Sequence, residues 1–162
     1  MSAKTKSKLT TREVVINKCF GGFSLSPLAV KRLAELRGEP CYFFEQRIID
    51  GKLRAIPVEF PASDVFMWSA YKVPSPPSQD GWQEMTMEER QESNRLYDEI
   101  CHEQRPEKRD DPLLIQVIKE LKKEANGSHA DLKIVKIPSD VEWVVSEYDG
   151  LESIEEVHRS WG

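Results

Sequence analysis

Cysteine is scarce: Cys19, Cys41 and Cys101 are the only three in 162 residues, far apart and odd in number, with no CxxC pair and no histidine at metal-ligand spacing. A disulfide framework and a structural zinc site are therefore excluded as organising principles, and reduced thiols of a cytoplasmic chain are expected. No apolar run approaches the roughly 18 residues of a membrane span, and the basic start "MSAKTKSKLTTR" lacks the apolar segment of a secretory signal. Basic charge is not in excess either. A net charge of −5 and few cations beside the aromatic residues argue against a nucleic-acid partner. The nucleotide signatures GxxxxGK[ST] and GxGxxG are missing, and there is no internal repeat.

What is present is enough for an ordinary core, with 39% hydrophobic residues in a length that suits one domain. The charge is unevenly placed. Residues 1–40 carry a net +5 and residues 41–162 a net −10, and from Ser139 on there are seven acids against Arg159 alone. Such a surface suits a basic partner, or is a solvated face that needs none. Residues 1–12 read as a disordered basic tail and residues 13–162 as a single α+β domain, a mixed or antiparallel sheet packed with two or three helices.

The run "EVVINK" predicts a strand. Ser26 as N-cap, Pro27 at the first helical position and Gly38 as terminator frame a helix with Leu28, Val30, Leu33, Ala34 and Leu36 on its apolar face. "CYFFEQRIIDGKLRAIPVEF" predicts a hairpin around Asp50-Gly51, its second strand held at an edge by Pro57. Residues 61–82 are expected to form an irregular Pro-rich loop anchored by Trp68, Tyr71 and Trp82. Thr86 and Glu89 have capping-box spacing at the start of a polar helix whose buried stripe is Leu96, Ile100 and Tyr97. Asp111 and Pro112 open a second, apolar helix that Asn126-Gly127 is expected to close. "LKIVKIP" and "VEWVVSEY" predict strands with a turn at Asp149-Gly150, and residues 151–162 predict a turn of helix and then a short strand.

The chemistry-bearing stretch is "VVINKCFGGFSLSPLAVKRLAEL". A strand, then Gly21-Gly22, then Ser24 and Ser26 before a helix start is a layout that offers N–H groups to an anion. The same glycines also serve a plain structural turn, and Cys19 would be a nucleophile only with a base beside it. His102 reads as a solvated cation at a helix end, and His129 as a surface residue. His158 and Arg159, with Trp161, form a mixture able to grip a carboxylate or phosphate. A ligand site would thus use Asn17, Cys19, Gly21, Gly22, Ser24, His158 and Arg159, and requires the strand bearing Asn17 to neighbour the C-terminal segment. A protein-contact face would use Glu147, Asp149, Glu152, Glu155 and Glu156. No catalytic constellation, metal site or cofactor is expected.

The segments "VVINKCFGGFSLS" and "ANGSHADLKIVKIPSDVEWVVSEYDGLESIEEVHRSW", with "RDDPLLIQVIKELKKEANG" between them, resemble a family of small uncharacterised proteins found largely in bacteriophage and prophage genomes. The likeness runs from about Glu13 onward. Its characteristic positions here are Asn17, Cys19, Gly21, Gly22, Tyr148, Asp149, Gly150, His158, Arg159 and Trp161. The resemblance implies a phage accessory protein in a bacterial cytoplasm and brings no activity with it. The lack of a catalytic constellation and the acidic C-terminal two-thirds point to a non-enzymatic protein that binds a host or phage protein. The alternative is a small-ligand or nucleotide-binding protein, or an enzyme, that uses the Gly21-Gly22 loop and the His158-Arg159 segment.

Overall fold

β-Branched residues and tight glycine turns dominate the extended parts of the chain, and the computed structural model, which describes residues 10–65, 67–77 and 81–158, is accordingly α+β. Every strand pairing is antiparallel. Three small sheets take the place of one larger sheet. The chain divides into two compact units, residues up to Ala29 with those from Arg105, and Val30–Gln104.

In the first unit β1 (Thr11–Asn17) pairs with β5 (Leu132–Pro138), Val15 opposite Ile134 and Asn17 opposite Leu132. Thr11 and Arg12, expected in the tail, are strand residues, because Thr11 already pairs with Pro138; residues 1–9 lie outside the described residues. Val14, Val15 and Ile16 are all buried, so both faces of β1 are covered, and each contributes roughly 1.5–3 kcal/mol. Helix α3 (Pro112–Leu121) packs on β1 and β5 through Leu114, Ile115, Val117 and Ile118. Asp111 caps it as expected, accepting from the Leu113 N–H at 2.9 Å.

Its end differs from expectation. The helix stops at Lys122, which takes φ +54°, and a 3-10 turn over Lys122–Ala125 follows. Asn126 is instead engaged by its side chain, accepting from the Leu132 N–H at 3.0 Å. Gly127 is needed for close approach: a Cβ there would lie 2.9 Å from the Ser24 carbonyl oxygen, to which its own N–H donates. The unit is completed by the hairpin of β6 (Trp143–Tyr148) and β7 (Leu151–Glu156), turned by Asp149 and Gly150 with φ +48° and +85°. Residues 151–156 are thus strand where a turn of helix was expected, because they pair residue for residue with β6. Arg159 and Trp161 lie outside the described residues.

The chain enters the second unit within α1 (Pro27–Arg37). Ser26 caps that helix, accepting from the Ala29 N–H at 3.1 Å, and Gly38 ends it in the left-handed region as expected. β2 (Tyr42–Ile49) is the central strand between β3 (Lys52–Val58) and β4 (Trp68–Tyr71). Asp50 and Gly51, both at positive φ, close the β2–β3 turn, and Pro57 does sit on an edge strand. β4 is a correction to the expected loop at 61–82, since Trp68–Tyr71 pairs with Tyr42–Glu45 despite the surrounding prolines.

Helix α2 (Met87–Ile100) carries the expected capping box. Leu96 is exposed, whereas Tyr97 packs edge-on to Tyr71 and gives its hydroxyl proton to the Pro77 carbonyl. His102, expected in solvent, is buried: Cys101 bridges to Tyr71, the His102 N–H reaches the Ala70 carbonyl, and its Nε2 lies 2.7 Å from the Pro40 carbonyl oxygen.

Candidate functional site

The glycine loop after β1 sits in the first unit, and its polar groups are already engaged. Asn17 is fully buried and uses both ends of its amide: Nδ2 donates to the carbonyls of Cys19 and Gly150, each at 2.7 Å, while Oδ1 accepts from the Asp131 N–H at 2.8 Å. One side chain thereby ties the loop to the β6–β7 turn and to the start of β5. The Asn17 N–H donates to Glu152 Oε2 at 2.8 Å. Glu152 in turn meets Arg109 through two parallel bonds of 2.8 and 2.9 Å. Arg109 is fixed on its other sides, with Nε on the Pro106 carbonyl and its plane 3.7 Å from the Phe23 ring centroid.

The glycines serve this packing. The Gly21 N–H donates to the Asp149 carbonyl, and a Cβ at Gly21 would come within 2.8 Å of His129 Cβ and of its carbonyl oxygen. A Cβ at Gly150 would run into the Gly22 backbone nitrogen. The β6–β7 turn therefore occupies the place where an anion would approach the loop. Ser24 is also committed, its hydroxyl to the Ser128 carbonyl and its carbonyl to the Gly127 N–H.

Catalysis by Cys19 has no support in this geometry. Its thiol donates to the His129 carbonyl at 3.1 Å and lies 3.4 Å from Asn17 Oδ1, neither of which takes a proton. The other two thiols are poor nucleophiles: burial pushes Cys41 up to about 11, and burial also raises Cys101. Among the described residues no group of three His, Cys, Asp or Glu could hold a metal ion. A cleft of about 360 Å³ does open beside Gly22, between Arg105, Arg109, Glu147 and Glu152. Its lining has as many carboxylates as cations, and Glu152 already neutralises Arg109.

Asn17, Cys19, Gly21, Gly22 and Ser24 are thus assembled in one place. β7 does neighbour β1, through Glu152 and the Asn17 N–H, but His158 is exposed two residues past the end of β7 and makes no hydrogen bond to this cluster among the described residues. The proposed acidic face is also divided. Glu152 is only 5% exposed and belongs to the buried ion pair, and Glu147 turns Oε1 to the Gly150 N–H at 2.6 Å. Glu155, Glu156 and Asp149 remain on the surface, as does Tyr148, which is 78% exposed. Comparison with family models, with curated proteins and with solved structures gives no match.

A second surface, in the other unit, was not singled out by sequence. β4 covers only the first half of β2, so the outer half of the β2–β3 hairpin projects with Ile48 at 77%, Leu53 at 56% and Ile49 exposed beside them. Ile48 and Leu53 are cross-strand partners, hence on one face. Ile49, Arg47, Lys52 and Arg54 alternate onto the other face, where Arg47 is ion-paired with the buried Glu45. Toward the base of the same face a groove of about 560 Å³ opens, walled by Phe44, Pro57, Tyr71, Pro74, Pro76 and Tyr97. Alternation of "EQRII" and "KLRAI" carried the signal, for a strand pair with apolar side chains on both faces and no further strand to cover them.

Proposed function

We propose that the chain is a non-enzymatic interaction protein, a phage-type accessory protein of the bacterial cytoplasm, whose contact surface is the outer half of the β2–β3 hairpin. The observation that carries this is the exposed cross-strand pair Ile48–Leu53 on the uncovered outer half of the hairpin. Burying both side chains against a partner is worth roughly 1.5–3 kcal/mol each, which selects a partner that offers an apolar patch of its own. The ligand-binding alternative is supported less, because the N–H of Gly21 and the polar groups of Asn17 and Ser24 are already bonded within the chain.

The test is photo-crosslinking in bacterial cells from a benzoylphenylalanine placed at position 48, with position 107 as an exposed control. A discrete protein adduct from position 48 and none from position 107 is expected. Equal diffuse labelling from the two positions would refute the assignment.

A further inference from the structure

In the first unit β5 pairs only with β1 among the described residues, so its other edge is open. Alternate residues of an antiparallel strand turn their N–H and C=O toward the partner strand, and the rest turn them away. Three bonds settle which are which. The Lys18 N–H reaches the Asp131 carbonyl and the Ser139 N–H the Thr10 carbonyl, while the Val15 N–H points away from β5 to the Arg109 carbonyl. Val15 lies opposite Ile134 and Glu13 opposite Lys136, so Leu132, Ile134 and Lys136 are the residues of β5 that face outward. The Leu132 N–H is taken by Asn126 Oδ1 at 3.0 Å. The N–H and C=O of Ile134 and of Lys136 have no partner among the described residues, and unpaired groups of this kind are a template for another strand.

A groove of about 570 Å³ runs beside this edge, walled by Ile118 and Leu121 of α3 and by Leu132 and Ile134 of β5. α3 covers the face that bears Glu13, to which Lys119 is ion-paired at 2.7 Å, and Ile134 and Lys136 belong to that same face. A side chain set opposite Ile134 on an added strand therefore enters the groove. Lys122, Lys123 and Lys133 also line it. Lys133 is held by Asp131 at 3.3 Å, whereas Lys122 and Lys123 make no ion pair among the described residues and face only one further acid of the lining, Glu124.

We infer that this groove takes an extended, acidic segment of another protein, added as a strand to the outer edge of β5. Its backbone bonds to Ile134 and Lys136, its apolar side chains enter over Ile118 and Leu121 at every second position, and its carboxylates meet Lys122 and Lys123. A second copy of β5 is disfavoured as the occupant, because one seam would gather Lys122, Lys123, Lys133 and Lys136 from both copies. The site belongs to the first unit and stands apart from the β2–β3 hairpin of the second.

The probe is a phage-displayed library of random linear peptides selected on the purified full chain, the enriched sequences then being synthesised with a fluorescent label and titrated by anisotropy. They are expected to alternate apolar with polar residues, to carry carboxylates, and to bind less tightly as salt is added. Lys136→Pro removes one outward N–H and spares the ladder to β1, and is expected to weaken binding about tenfold. Lys136→Gln keeps that N–H and is expected to cost about threefold at most, while Lys122→Glu with Lys123→Glu costs about tenfold or more. Circular dichroism shows whether each variant is folded. Should Lys136→Pro fail to fold, slower hydrogen exchange of the Ile134 and Lys136 amides of the unaltered chain on adding peptide reads the same contact. No enrichment, equal binding to Lys136→Pro, or unchanged exchange at those two amides overturns the inference. A crosslink from position 48 that persists in such a case leaves the hairpin surface standing.

Discussion

Removing the carboxylate of Glu152 should be among the most damaging single changes in the chain. Its two oxygens hold both terminal nitrogens of Arg109 and the N–H of Asn17, and its side chain and that of Arg109 are only 6% and 13% exposed. In Glu152→Ala the guanidinium stays buried on Phe23 without its counter-charge, which costs about 3–5 kcal/mol, and the Asn17 N–H loses its acceptor. Against a total stability of about 5–15 kcal/mol this is a large share, equivalent to a fall on the order of 10 °C in Tm for a chain of this size. Arg109→Met should cost a similar amount for the converse reason, since it strands the carboxylate. The double change Arg109→Met with Glu152→Leu leaves neither charge, so its cost should fall short of the sum by at least about 2 kcal/mol. Urea unfolding followed by circular dichroism, read at constant m, measures all three. Additive losses, or single losses under about 1 kcal/mol, would refute the claim that this pair is a buried lock.

Gly21→Ala should destabilise by about 1–3 kcal/mol, since φ +118° and the 2.8 Å approach to His129 both exclude a Cβ; Gly38→Ala, at positive φ with open space around it, should cost less in the same unfolding assay. The buried Glu45 carboxyl is held below its ordinary 4.5 by the Ala62 N–H first and Arg47 second. A lowered folded pKa gives stability that is present above the ordinary value and lost as pH falls through the folded one. Glu45→Gln should therefore flatten the acid limb of a stability-against-pH curve below about 4.5, and an unchanged limb would count against the assignment. Cys41 and Cys101 should react with iodoacetamide at pH 8 far more slowly in the folded chain than in urea, as peptide mass analysis of the labelled protein would show. Leu53→Lys, beside position 48 and 56% exposed, should leave unfolding stability within about 0.5 kcal/mol while abolishing the crosslink from position 48.

Local signals carried most of the element order. The Ser26 and Asp111 caps, the Thr86–Glu89 box and the Asp50-Gly51 and Asp149-Gly150 turns are each set by two or three neighbouring residues, so the sequence displays them directly. Long-range partners were not legible. Nothing in "RPEKRDD" marks Arg109 as the mate of Glu152, 43 residues away, and "LESIEE" has helical and strand spacing at once until β6 pairs with it. Asn126-Gly127 has the look of a helix cap, yet its asparagine serves β5 and its glycine lets Ser24 come close. The glycine loop itself was located correctly by its punctuation. What fills it, the β6–β7 turn, is a tertiary fact.

The central claim is that the glycine loop is a closed structural joint and that the outer β2–β3 hairpin is the contact surface. The most direct measurement is the amide NMR spectrum of the ¹⁵N-labelled chain in buffer and in bacterial extract. Broadening of residues 46–55 and their neighbours, with Gly21, Gly22 and Ser24 unmoved, is the predicted result. Shifts at those three amides with the hairpin unchanged would contradict the account and make the loop a ligand site after all.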